Sequence, residues 1–179
     1  MKKGTYVFGI DIGGTSTQIG LFTMDGTPVQ SCRIKTRTTD GGKEILPDIS
    51  AALKTMMAEQ GFVPFAKDLK EQTRPEPEHN APVKGVVAGA GLAIPGAVLR
   101  DREVKPCVNL NGWGGEDVAG QFSALIHMPV KILNDADAAA LGEMWKGSAG
   151  KYSDFVFVTL GTGVGGGVIV NGKLLVGAH

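Results

Sequence analysis

Two glycine-rich turns, each set beside short apolar runs, constrain this chain more than any other feature. The first is Asp11-Ile12-Gly13-Gly14-Thr15; the second is Gly161-Thr162-Gly163-Val164-Gly165-Gly166-Gly167. Small residues let backbone N–H groups approach a phosphate closely. The second loop is no Walker A sequence, because no Gly-Lys-Ser/Thr follows, and no dinucleotide fingerprint, because it joins two strands rather than opening a helix. One such loop alone reads equally well as an ordinary tight turn. Two of them at matching turns of a duplicated pattern say more: they would face each other across a cleft and grip a polyphosphate from both sides.

The duplication lies in the order of the elements. Residues 5–11, 17–24 and 29–36 read as three consecutive antiparallel strands, with Asp25-Gly26 a hairpin turn. Apolar residues at helical spacing (Ile45, Ile49, Leu53, Met56) predict a helix over 44–60, stopped by Gly61. A polar, Pro-rich stretch at 67–82 reads as a surface loop. A buried strand at 83–94, a helix at 116–126, a strand at 130–133 and a helix at 136–145 follow. Gly147 to Gly150 reads as a linker. Beyond it a three-strand opening begins again (155–160, 164–170, 173–176), with Asn171-Gly172 as its hairpin turn. The expected fold is therefore α/β: three antiparallel strands, then alternating helices and strands, over residues 1–148. Residues 149–179 are the first strands of a second, truncated domain.

Two further segments carry candidate chemistry. Asn134-Asp135-Ala136-Asp137 stands at a strand's carboxyl end and opens a helix, where α/β folds place ligand-binding groups. An aspartate there can take the proton of a hydroxyl that attacks a phosphate. The competing role is a helix cap, open to both Asp135 and Asp137, with Asp137 the better fit because it lies in the first turn. Gly89 to Val98, with its Pro95-Gly96 turn, presents bare backbone suited to sugar hydroxyls, as does the amide of Asn109. Trp113 serves equally as core or as a stacking platform. Asp11 is placed to hold a magnesium ion directly or through water.

Composition removes other function classes. Lys plus Arg and Asp plus Glu are each 18, so the formal charge is zero and no electrostatic footprint for nucleic acid or membrane is expected. Cys32 and Cys107 match no metal or redox spacing and read as reduced thiols of a cytoplasmic protein. The amino terminus has no signal-peptide pattern, and no run approaches a membrane span.

Taken in this order, the four motifs resemble the ROK family of bacterial sugar kinases, within the actin and hexokinase superfamily of ribonuclease H-like folds. Asp11 to Thr15 looks like the family's first phosphate loop, Gly161 to Gly167 like its second, Gly91 to Val98 with Asn109-Leu110 like the sugar-side segment, and Asn134-Asp135 like its catalytic pair. The resemblance implies ATP- and magnesium-dependent phosphorylation of a hexose or hexosamine; the unpaired edges of the last three strands, which cannot bury a core alone, separately predict a homo-oligomer. Asp135 would be the base, and Gly96, Asn109 and Asn134 would hold the sugar. Gly13, Gly14, Thr15, Thr162 and Gly163 would lie along the phosphates, with Asp11 near the metal. Gln18 stands where the family often has a basic residue. The resemblance also implies that the chain stops short of the Gly-Glu-x-Gly-His sugar segment, of the adenine pocket and of the Cys-rich motif for a structural zinc. His179 is therefore no ligand, and the chain alone is expected to be an incomplete, inactive portion. The other readings open are a repressor with an added DNA-binding domain, a non-catalytic sugar- or partner-binding module, and another actin-fold ATPase.

Overall fold

A computed structural model describes residues 4–64, 84–115, 117–161 and 163–176. Strands β1 (Gly4–Ile12), β2 (Ser16–Thr23) and β3 (Pro28–Lys35) form an antiparallel meander, joined by the short turns that the sequence signals. Helix α1 (Ile45–Gln60) follows. Its proline, Pro47, falls in the first turn, where the missing N–H has no intrahelical acceptor to lose. Gly61 ends the helix with φ of 68°, a left-handed conformation that costs glycine least.

The short β4 (Phe62–Pro64), then β5 (Gly85–Ile94) and β9 (Val130–Asn134), complete a six-stranded sheet. β5 runs parallel to β1 on one side; on the other its first half pairs with β4 and its second half with β9. Between β5 and β9 lies a small antiparallel sheet of β6 (Val98–Leu99), β7 (Glu103–Cys107) and β8 (Trp113–Gly115), followed by α2 (Val118–Ile126). Helix α3 (Asp135–Lys146) leads through a 3-10 turn at Ser148–Lys151 into a three-stranded sheet of β10 (Phe155–Leu160), β11 (Val164–Val170) and β12 (Lys173–Leu174).

Alternation along the strands sets the layers. Phe8, Ile10 and Ile12 of β1, Ile19 and Leu21 of β2, and Leu92 and Ile94 of β5 join α1 and α2 in one buried core. The opposite face carries Gly9, Asp11, Gln18, Gly20, Gly91 and Ala93, and α3 meets it at Ala138. α3 also packs on the second sheet at very short range. A Cβ at Gly167 would stand 2.6 Å from the Ala140 methyl, and one at Gly165 would stand 3.1 Å from that of Ala136. The glycines of β11 are thus required by the close approach of a helix as well as by any ligand.

The expected strands and helices hold in type and order, with several differences. The last strand is shorter than 173–176, and the linker at 147–150 contains a 3-10 turn. The sequence gives no warning of β4 or of β6 to β8, which are two to five residues long and, in β7, interrupted by Pro106. Trp113 is 7% exposed in the core, so its packing role prevails over a stacking platform. The stretch at 67–82 lies outside the described residues. None of the described helices is long and apolar enough to cross a membrane.

Candidate functional site

Parallel pairing brings the carboxyl ends of β1, β5 and β9 to one sheet edge. The register sets Asp11 beside Ala93 and Ile94 beside Asn134, so the loops after these strands emerge side by side. The first glycine turn, the Pro95-Gly96 turn and the amino end of α3 therefore share one rim. Across from them stands the turn between β10 and β11. The result is a cleft of about 640 Å³ lined by Gly13, Gly14, Thr15, Pro95, Gly96, Asn109, Asn134, Asp135, Thr159, Gly161, Gly163, Val164 and Gly165. Polar and apolar atoms line it about equally, as a site for a polyhydroxylated or phosphorylated ligand requires.

Each loop is anchored in its own way. Gly13 N–H donates to the Ser16 carbonyl at 3.1 Å, and Thr36 N–H donates to the Thr15 carbonyl at 3.1 Å. The amides of Gly14 and Thr15 donate to no backbone carbonyl among the described residues. Gly14 lies directly against the 3-10 turn at Val108–Leu110: a Cβ there would stand 2.6 Å from the Asn109 carbonyl oxygen. The phosphate-loop candidate and the sugar-side candidate thus touch backbone to backbone. In the second loop Gly161 N–H donates to the Gly163 carbonyl at 2.9 Å.

The cap of α3 is Asn134. Its Oδ1 accepts from Ala136 N–H at 3.0 Å and from Asp137 N–H at 3.3 Å. That leaves the two aspartates free of the capping role for which they compete in the sequence. Asp135 Oδ1 accepts from Ala136 N–H at 2.8 Å, and its other oxygen takes no hydrogen bond from the described residues. Burial, and then the Asp135 charge, hold the Asp11 carboxyl above the ordinary carboxylate range. The same two causes, in the same order, raise Asp137 and raise the Cys107 thiol above its ordinary value. Asp135 is thus the charge that its acidic neighbours sense.

Of the residues singled out in the sequence, Gly13, Gly14, Thr15, Gly96, Asn109, Asn134, Asp135 and Gly163 come together in this cleft. Asp11 does not line it. It opens instead onto the adjoining groove beside Gln18 and Lys131, one step behind the rim. Thr162 lies outside the described residues. Gln18, with its amide oxygen turned toward β3, accepts from the Arg33 guanidinium, so a cation stands one strand away from the position where the chain lacks one. Pro95, Thr159, Val164 and Gly165 also line the cleft. The signal for Thr159 is slight: it is the one polar residue in β10, on the same face as Phe155 and Phe157.

Among the described residues no three His, Cys, Asp or Glu side chains converge on one point. Magnesium seldom needs such a cage, since one or two carboxylates with substrate phosphates suffice. Burial first and the Asp135 charge second raise Asp11, and a cation beside Asp11 would offset both, so the position fits a bound cation.

Comparison with known proteins agrees with this geometry. The profile of the ROK family matches residues 78–179. A glucokinase of Halalkalibacterium halodurans is 33% identical over 180 residues, covering 100% of this chain and 48% of its own length. An N-acetyl-D-glucosamine kinase of Yersinia enterocolitica is 32% identical over 172 residues, covering 96% of this chain and 48% of its own length. Among solved structures, a ROK family glucokinase from Streptomyces griseus in complex with glucose and AMPPNP superposes with a TM-score of 0.72 at 26% identity, covering 96% of this chain and 46% of that one. The chain spans about half the length of the curated relatives it matches.

Proposed function

The chain belongs to the ROK family, and from that premise we propose that the full-length protein transfers the γ-phosphoryl group of ATP to a hydroxyl of a hexose or hexosamine. One observation carries the reading. Two glycine loops, a Pro-Gly turn, two asparagines and one aspartate, scattered over 150 residues of sequence, line a single cleft. The glucokinase and N-acetyl-D-glucosamine kinase relatives supply the substrate class.

In this reading Gly13, Gly14 and Thr15 on one wall and Gly163 on the other lie along the phosphates, and Thr162, its neighbour in sequence, is assigned the same role. Their N–H groups would stabilise charge on the transferring group without reorganising during the reaction. Gly96, Asn109 and Asn134 hold the sugar. Asp135 takes the proton of the attacking hydroxyl as the new O–P bond forms, while the bond from the γ-phosphorus to the bridging oxygen breaks and ADP leaves. Asp11 helps to hold magnesium, which neutralises phosphate charge when bound. Residues 1–148 form the first domain, and residues 149–179 open the second. The protein is a cytoplasmic homo-oligomer.

The test is ADP release by the full-length protein with magnesium-ATP across a panel of hexoses and N-acetylated hexosamines. Sugar-dependent release is expected for at least one of them. Its absence with every sugar, in folded protein, would overturn the reading in favour of a non-catalytic sugar-binding member.

A further inference from the structure

Asn134 lines the cleft, yet most of its hydrogen-bonding capacity is turned away from it. We propose that Asn134 is a positioning residue that ties the Pro95-Gly96 turn to the amino end of α3, leaving a single amide N–H for a ligand. The inference rests on the kinase reading, because it concerns how the base and the sugar turn of that reading are held in register.

The argument is an inventory. An asparagine side chain has two acceptor sites on its oxygen and two donor protons on its nitrogen. Oδ1 accepts from Ala136 N–H at 3.0 Å and Asp137 N–H at 3.3 Å, so both acceptor sites are engaged. These two donors also fix which end of the amide is oxygen. The nitrogen must then face the other way, and Nδ2 donates to the Gly96 carbonyl at 3.1 Å. One N–H is left.

The turn at the other end of the tether is correspondingly constrained. Gly96 N–H donates to the Ile94 carbonyl at 2.8 Å, and its carbonyl accepts from Asn134. Beneath it a side chain on Gly96 would collide with the Cys107 sulfur. The Gly96 N–H is thus unavailable to a sugar, which Gly96 can meet only through the second lone pair of its carbonyl, and the turn is fixed from above and below. The same Asn134 amide sets the first turn of α3, which carries Asp135. Through one side chain, the element offered to the sugar and the element offering the base are held at a fixed separation.

Neither of the other common capping residues reproduces this. Aspartate accepts from both helix N–H groups but has no proton for Gly96. Serine caps a helix as well as asparagine does, but its hydroxyl is too short to reach across.

The experiment compares Asn134→Ser and Asn134→Ala with the unmodified full-length protein. It combines hydrogen exchange resolved at single amides with steady-state kinetics on the sugar that supports ADP release. In Asn134→Ser the turn loses the bond to its Gly96 carbonyl, and exchange of the Gly96 N–H, which itself donates to Ile94, is expected to quicken about fivefold to tenfold as the released turn opens more often, while Ala136 and Asp137 stay protected. In Asn134→Ala exchange at Gly96 and Asp137 is expected to quicken, while Ala136 keeps the Asp135 carboxylate as an acceptor. The kinetic counterpart in Asn134→Ser is a fall in kcat together with a rise in sugar KM, with the KM for ATP unchanged. Unchanged Gly96 exchange in Asn134→Ser would overturn the tether, whether or not the protein proves to be a kinase. Sugar-independent ADP release in the unmodified protein, with the exchange pattern as expected, would remove the kinase reading and leave the tether standing.

Discussion

Replacing Gly14 by alanine is expected to damage sugar binding from inside the loop assigned to phosphate. The added Cβ would lie 2.6 Å from the Asn109 carbonyl oxygen, whereas ordinary contact begins at 3.4 Å. One of the two backbones must therefore retreat by about 0.8 Å. The obstacle is backbone, with no flexible side-chain end to swing aside. Overpacking of this kind costs about 1–3 kcal/mol, and if the sugar binds only with Asn109 back in place that cost weakens binding by about 5- to 150-fold. A misplacement approaching 1 Å also costs catalysis about a hundredfold. The informative quantity is the sugar dissociation constant measured calorimetrically without nucleotide, because Gly14 itself then touches no substrate. It is expected to rise by about one order of magnitude. Two neighbours serve as controls. A Cβ at Gly13 would meet the Ser16 carbonyl at 2.9 Å, inside its own hairpin, and one at Gly163 would meet nothing within 4 Å. Both substitutions are expected to leave nucleotide-free sugar affinity unchanged, Gly13→Ala raising the KM for ATP alone. If Gly14→Ala also spares sugar affinity and affects only ATP, the contact with Asn109 does not transmit position, and the coupling of the two loops is refuted.

Further predictions follow from the acids and from the outer face of the second sheet. Asp135→Asn in the full-length protein is expected to lower kcat by about 10²–10⁴-fold with sugar affinity kept; near-normal turnover would remove Asp135 from the base role. Asp11 has a folded-state pKa raised above 3.8, so its ionisation opposes folding as pH rises through that raised value. Asp11→Asn is therefore expected to raise the unfolding temperature at pH 7, with the difference shrinking toward zero as pH falls below about 4, while the requirement for magnesium in turnover increases. Val156, Val158 and Leu160 of β10 are 64%, 56% and 79% exposed, forming an apolar stripe. The 179-residue chain is expected to self-associate through this stripe in light scattering and Val158→Lys to reduce it; a monomeric unmodified chain, or association unchanged by the substitution, would refute this.

How much of this was legible in the sequence follows from how far each signal reaches along the chain. Strands and helices whose pattern repeats over many residues were placed correctly, as with the alternation of Phe8, Ile10 and Ile12 or the helical spacing of Ile45, Ile49 and Leu53. The small sheet of β6 to β8 was not, because strands of two to five residues have no period to read, and what forms them is pairing between residues such as Val98 and Val104. The cleft was legible as a set of motifs, since parallel pairing of β1, β5 and β9 follows from their order and delivers their carboxyl ends to one edge. The interlocks were not legible. Nothing in Gly13-Gly14 says that the second glycine alone rests on Asn109, and nothing in Asn134-Asp135 says which residue caps the helix. Those facts depend on which way a backbone or an amide faces across a separation of 95 positions in the first case, and of 38 to Gly96 in the second. Sequence motifs thus identify the groups that meet in the cleft, and the contacts between their loops decide how independently each can be altered. If Gly14 and Asn109 move as one, and Gly96 and Asp135 as another, the cleft has two rigid couplings rather than four adjustable loops. Variation in sugar preference should then arise from residues that touch neither coupling.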